Sequence, residues 1–160
     1  MPALTLALYQ PDIPQNCGTM LRLCACLGLD AAIIEPAGFP VSDRAFRRAG
    51  MDYLGHVSIA RHVNFEGFEA WRRAAGRRLV LLSTKAAGPY CDFAFHEGDI
   101  LLVGRESSGV PEDVHAAADA RIVIPMQPGL RSLNVAVAAA MVVGDALRQI
   151  GKDAASVAKI

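Results

Sequence analysis

The residues able to do chemistry in this chain stand in three short loops, each at the end of an apolar run. Asn16 and Arg22 lie in the first, Glu106 in the second, and Ser132 and Asn134 in the third. The second loop runs Gly104 to Pro111. The third runs from Ile122 through a Pro/Gly-rich turn into a helix of small residues that begins near Asn134. A strand and a helix that bracket such a turn hold its amides and carbonyls rigidly, ready for a ligand. Polar groups at the carboxyl ends of parallel strands are where α/β folds place ligands. Asn16 and Asn134 also suit helix caps, Arg22 suits an ion pair with Glu106, and Ser107 and Ser108 suit an ordinary turn. Those readings serve each residue singly. They leave unexplained why three loops share the same Gly, Pro and polar make-up.

Several chemistries are excluded by the same residues. Gly104 and Gly109 have phosphate-loop spacing, but Val110 and Pro111 follow where Lys and Ser/Thr are needed, which argues against triphosphate hydrolysis. The loop is not a nucleophile elbow. No dinucleotide fingerprint follows any strand. His56, His62, His96 and His115 lack metal-ligand spacing, so no metal is expected. Cys17, Cys24, Cys26 and Cys91 fit neither a zinc pattern nor a redox pair, and read as buried, reduced thiols of a cytoplasmic protein.

The elements that must position these loops follow from the apolar runs. Strands are expected at Leu4–Tyr9, Ala31–Glu35, His56–Ala60, Leu79–Ser83, Ile100–Gly104 and Ile122–Pro125. Most are short and continuously apolar, as strands covered on both faces are. Helices are expected at about Cys17–Leu27, Ser42–Ala49, Glu66–Ala75, Pro111–Ala118 and Asn134–Ile150. The alternation implies an α/β domain with a mostly parallel sheet flanked by helices. Asn16 is the expected cap of the first helix, Asn134 or Ser132 of the last. Gly28 and Gly151 are the expected C-terminal stops. The chain of 160 residues, 52% hydrophobic and 20% charged, suits one domain over 1–151, with 152–160 a frayed tail. The start of the chain reads as a strand and not as a signal peptide, and no run is long enough to span a membrane.

A net charge of +0 argues against a histone-like nucleic-acid binder but allows a local basic face. Lysine occurs only at 85, 152 and 159, so arginine, the better bidentate phosphate ligand, supplies most of the positive charge. Arg44, Arg47 and Arg48 share one face of a short helix by spacing and are candidate RNA contacts. Arg131, beside Ser132, is another. Arg72, Arg73, Arg77 and Arg78 read as plain surface. Ala136, Ala138, Ala139, Ala140 and Gly144 make the last helix smooth enough for another backbone to approach, and a homodimer through the first and last helices is expected.

Taken in order, Asn16-x-Gly18-x-x-x-Arg22, Gly104-x-Glu106-x-x-Gly109-Val110-Pro111 and Ile124-Pro125-Met126 followed by Ser132-Leu133-Asn134 resemble the three motifs of the SPOUT superfamily of RNA 2′-O-ribose methyltransferases. The resemblance covers essentially the whole chain and is nearest to the small TrmL-like tRNA enzymes, through Ile34–Phe39, Arg47–Tyr53 and Thr84-Lys85 as well. It implies a deep trefoil knot at the C-terminal end, which general topology rules would never suggest. It implies S-adenosylmethionine bound by Leu82, Ser83, Gly104, Ile124, Ser132 and Leu133, leaving S-adenosylhomocysteine as product. It implies a catalytic set of Arg22, Asn16, Glu106 and Asn134. The substrate it implies is the wobble nucleotide in the anticodon of tRNA, cytidine 34 or modified uridine 34, in leucine isoacceptors. The same chemistry at another tRNA or ribosomal RNA site is an alternative, as is a non-catalytic knotted domain that binds the donor or RNA. A small oxidoreductase with an atypical nucleotide site is a more remote one.

Overall fold

The computed structural model describes residues 2–40, 44, 48 and 51–151. Six parallel strands form one sheet: β1 Leu4–Tyr9, β2 Asp30–Ile34, β3 Ile59–His62, β4 Leu79–Leu82, β5 Asp99–Val103 and β6 Ala120–Ile122. Their order is β3-β2-β1-β5-β4-β6. The helices are α1 Pro14–Leu27, α2 Phe65–Ala74, α3 Glu112–Ala117 and α4 Val135–Ile150. The expected α/β architecture is borne out.

Period-two alternation along the strands divides the core into two layers. Leu4, Leu6, Leu8, Val80, Leu101 and Val103 face one side, where they pack with Met20 and Leu21 of α1 and Ala139 and Val143 of α4. Ala7, Ala32, Leu79, Leu81, Ile100 and Leu102 face the other, against Phe68 of α2 and Val114 of α3. Covering on both faces explains why β1 and β5 read as unbroken apolar runs.

The edges depart from expectation. Residues expected to begin a strand at His56 instead close a 3-10 turn over Met51–His56, and β3 runs later, through Ile59–His62. Its register is set by β2, with Ala31 opposite Ile59 and Ile34 opposite His62. An edge strand tolerates Arg61 and His62, so an apolar run is a poor guide to it. The other edge strand, β6, ends at Ile122 rather than Pro125: Val123 bonds Gly88 and Tyr90, beyond the end of β4, and Pro125 has no N–H to give a ladder. The expected helix at Ser42–Ala49 lies mostly outside the described residues; Arg44 and Arg48 are helical and exposed.

The capping pattern corrects one residue. α1 starts at Pro14, with Ile13 in the cap position, so Asn16 is inside the helix and does not cap it. Proline's fixed φ suits the first helical turn. Pro111, expected inside its helix, likewise sits just before α3. Asn134 does cap α4, accepting from the N–H groups of Ala136 (2.9 Å) and Val137 (3.3 Å). Gly28 (φ 64°) and Gly151 (φ 70°) close α1 and α4 in the left-handed region, as expected.

The arginines in the last turn of α2 and just after it are, Arg73 apart, not plain surface. Arg72 is 4% exposed and Arg77 7%. Arg72 pairs with Glu69 and with Asp119 (2.8 Å) and donates to the Arg77 carbonyl (3.0 Å). Arg77 donates to the Gly98 carbonyl (2.8 Å) and Thr5 Oγ1 (2.7 Å), and Arg78 pairs with Asp99 (2.7 Å). Their guanidinium donors satisfy carbonyl, hydroxyl and carboxylate groups beside the amino-terminal ends of β1, β4, β5 and β6, away from the loops of interest. Only Arg73 is well exposed. The cysteines are all free, but just Cys17 and Cys24 are buried, with burial pushing both thiols up to about 12. Cys26 and Cys91 are exposed, contrary to expectation.

Candidate active site

The strand order reverses direction between β1 and β5, which pair with Leu4 opposite Asp99 and Leu8 opposite Val103. Parallel sheets bind ligands outside the carboxyl ends of strands at such a switch point. A cavity of about 590 Å³ opens to one side of that point, over β5, β4 and β6, within the size range of small-molecule sites. Its wall is drawn from the ends of β4, β5 and β6 and from the starts of α1, α3 and α4.

The structure brings together most of the residues singled out from the sequence. Leu82, Ser83, Gly104, Ile124, Ser132 and Leu133 all line the cavity, as do Asn16, Glu106, Arg131 and Asn134. Asn134 Nδ2 donates to Asn16 Oδ1 at 3.0 Å, which joins the first and third loops. With its oxygen spent on the α4 cap, Asn134 uses both ends of its amide. Arg22 is placed elsewhere: it is exposed on α1, outside the cavity wall, with its guanidinium 4.6 Å from the Tyr53 ring centroid. Arg44 and Arg48 are absent from the wall too, and Arg47 lies outside the described residues.

The loop after β5 is a tight hairpin, closed by Arg105 N–H to the Gly109 carbonyl (3.0 Å) and Gly109 N–H to the Arg105 carbonyl (2.8 Å). A Cβ on Gly104 would lie 2.7 Å from the Gly109 carbonyl carbon. Glycine is therefore required at 104 by the loop's own closure, not only by approach of a ligand. Gly104→Ala should force the hairpin apart at a cost of about 1–3 kcal/mol and weaken binding of the cavity's ligand. Thermal melts and calorimetry with S-adenosylmethionine check this, and a normal melt with normal uptake would refute it.

Sequence reasoning missed Asp12. Its carboxylate accepts from Glu106 N–H (3.2 Å) and from the Ser107 hydroxyl, and its own N–H donates to Glu106 Oε2 (3.3 Å). The neighbouring Glu106 carboxyl, the largest influence, holds the Asp12 carboxyl down at about 2. Burial, and then the neighbouring Asp12, pushes Glu106 up to about 6. The signal was present in the acid that follows the β1 run at Pro11, but an aspartate beside a proline reads as a turn residue.

The cavity suits S-adenosylmethionine. Leu82, Val103, Ile124, Leu133 and Ala138 offer an apolar slot for a flat ring. Glu106 Oε1 and His115 Nε2, both on residues that line the wall, are buried without a hydrogen-bond partner, an arrangement that costs free energy unless a ligand completes it. A carboxylate also complements a sulfonium cation. No group of three or more potential metal ligands occurs among the described residues.

Similarity to known proteins agrees with this geometry. The model of the SpoU rRNA methylase family matches residues 3–144. The chain belongs to that family and is an RNA methyltransferase of the SPOUT superfamily, as the three motifs implied. More particularly, it is 76% identical over 146 residues, covering 91% of each chain, to the tRNA (cytidine(34)-2′-O)-methyltransferase of Beijerinckia indica. It is 39% identical to the Escherichia coli K12 protein of the same name, over 92% of this chain and 94% of that one. A solved structure described as giving insight into 2-OH methylation of C/U34 on tRNA superposes with TM-score 0.86 at 42% identity, over 92% of this chain and 96% of that chain. The SpoU methyltransferase AviRb from Streptomyces viridochromogenes, solved with its cofactor AdoMet, superposes with TM-score 0.83 at 27% identity, over 93% of this chain and 61% of that one.

Proposed function

We propose that the protein methylates the ribose 2′-hydroxyl of nucleotide 34, a cytidine or modified uridine, in the anticodon of tRNA, with S-adenosylmethionine as donor. The observation that carries this reading is the convergence of Asn16, Glu106, Asn134, Leu82, Ser83, Gly104, Ile124, Ser132 and Leu133 on one cavity at the carboxyl ends of β4, β5 and β6. The names of relatives at 76% and 39% identity support the position. Leucine isoacceptors rest on the resemblance of the motifs.

When bound, the donor supplies an electrophilic methyl on a positively charged sulfur. The chain's part is alignment, worth on the order of 7–11 kcal/mol at its best, and care of the hydroxyl proton. Leu82, Ser83, Gly104, Ile124, Ser132 and Leu133 hold the donor. Asn16 and Asn134 fix the loops around the ribose, and Glu106 bonds a hydroxyl. Arg22 stays protonated in a protein and is a poor base; its role is to clamp an RNA phosphate and stabilise the developing alkoxide, while a phosphate oxygen or water takes the proton.

A homodimer along α1 and α4 belongs to this reading. Val137 and Met141 are exposed apolar residues on α4, with Ala140 and Gly144 exposed beside them. Gln15, Thr19, Arg22 and Cys26 form the outer stripe of α1, which packs beside α4 on the same face of the sheet. Pairing through this surface would set Arg22 at the junction of two copies. The knotted C-terminal path is likewise part of the proposal. Its support is the way the segment after β4 crosses the exit of β6, with Tyr90 N–H to the Val123 carbonyl and Val123 N–H to the Gly88 carbonyl, both 2.9 Å. No helix among the described residues is long and apolar enough to cross a membrane, and the cytoplasm, where tRNA is modified, is the proposed location.

Arg44, Arg47, Arg48 and Arg131 are the proposed phosphate contacts. With the Arg22 clamp these make five contacts, which predict that tRNA affinity falls roughly 100-fold between 50 and 200 mM salt; filter binding across that range measures it, and a flat response removes this face. The function itself is tested by mass spectrometry of RNA from a deletion strain. Loss of the methylated ribose at position 34 is expected, and loss at a ribosomal position instead would move the substrate.

A further inference from the structure

Asp12 lies in the turn between β1 and α1, yet its polar contacts run 94 residues along the chain to the loop after β5. It bonds the N–H and one carboxyl oxygen of Glu106, takes the Ser107 hydroxyl, and stands 3.7 Å from Arg105 Nε. Three successive residues of the cavity wall thus hang on one carboxylate. We propose that Asp12 is the positioning residue of this loop, fixing Glu106 so that its second oxygen is left for the cavity's ligand. The inference rests on reading the cavity as the donor site.

Two further observations point the same way. The chain reaches Asp12 through Gln10, a non-glycine residue at φ 41°, anchored by its N–H to the Ile34 carbonyl (2.8 Å). Left-handed backbone at such a residue is retained where surrounding structure holds it, and clusters at working sites. The loop after β2 then presses on Asp12 from outside. A Cβ on Gly38 would meet Asp12 Cβ at 2.9 Å and its Cα at 3.0 Å, and Gly38 N–H donates to the Pro11 carbonyl at 2.8 Å. Asp12 is gripped on both sides.

The arrangement sets two acids together, which a fold avoids unless the pair has a use. Asp12 stays ionised, while Glu106 is pushed up to about 6, by burial first and then by Asp12. The other groups facing the pair are Arg105, beside Asp12, and the Cys17 thiol of α1, held protonated by burial. Glu106 therefore has its free Oε1 presented by a group whose charge depends on its neighbour.

The test uses the whole protein with Asp12→Asn, which preserves volume, and Gly38→Ala, which displaces Asp12 without touching the cavity wall. Two quantities are read: the titration midpoint of Glu106 by carboxyl-carbon NMR, and the KM for S-adenosylmethionine beside kcat. In the parent protein the midpoint is expected near 6, raised by burial and by Asp12. Both variants should bring it down toward the ordinary range and raise KM about tenfold, the loss of one charge-assisted hydrogen bond, with kcat changed less. In Glu106→Gln, adding Asp12→Asn should raise KM no further. If either quantity stands still in both variants, or if the double variant is as additive as independent sites are, the inference is overturned. Failure of the parent protein to take up the donor in calorimetry would overturn the cavity reading instead, and the titration would still report on Asp12.

Discussion

Arg22→Ala should bind S-adenosylmethionine as the parent does and transfer its methyl group roughly 10²- to 10³-fold more slowly, the loss of about 3–4 kcal/mol of transition-state stabilisation. The first half follows from placement: Arg22 is exposed on α1 and contributes nothing to the cavity wall. The second follows from what a guanidinium does near a phosphate, where its planar fork binds two oxygens at once. The Tyr53 ring 4.6 Å away steadies the side chain, a contact worth about 0.5–1 kcal/mol at an exposed site, so the variant should fold normally. Arg22→Lys should recover only part of the rate, since an ammonium keeps the charge but not the bidentate geometry. Isothermal titration beside a methylation assay on tRNA reads both halves. Unchanged turnover would remove Arg22 from the mechanism, and lost donor binding would move it into the cavity.

The second large effect belongs to Asn134, which does two jobs with one amide. Its oxygen caps α4 and its nitrogen donates to Asn16. Asn134→Ala loses both, with about 1 kcal/mol of stability from the cap alone and a fall in methyl transfer as the first and third loops part. Asn134→Ser separates the two. A serine hydroxyl is as good a cap as asparagine but is too short to hold Asn16, so the melting temperature should return while transfer stays low. Thermal melts and initial rates on the two variants check this. If serine restores activity along with stability, Asn134 serves the helix alone.

How far these residues could be found without coordinates depends on what each is surrounded by. The buried strands were legible because both faces are covered: β1 and β5 read as apolar runs, and their ends lie within a residue of where the runs stop. The exposed edge at β3 was not, because its register is dictated by β2 rather than by its own pattern. Asn16 has the composition of a cap, but Pro14 opens the helix first and frees the amide for Asn134. Arg72 and Arg77 have the composition of a surface and are buried, since their partners, Asp119, Gly98 and Thr5, are scattered along the chain. Asp12 was invisible for the same reason. The residues of the cavity wall were legible because glycines, prolines and small polar residues at strand ends are a local signature, whereas a clamp between two loops is not.

The cavity wall takes residues from Ile13 at the start of α1 to Ala138 in α4. A growing chain on the ribosome therefore has no complete cavity, and on the proposed reading no place for the methyl donor, until nearly its whole length has emerged, since Ser132, Leu133 and Asn134 come last. Contacts between such distant stretches are slow to form. On that reading, uptake of the donor reports on completed synthesis and folding, because a half-made molecule lacks the part of the wall that Arg131 to Ala138 supply.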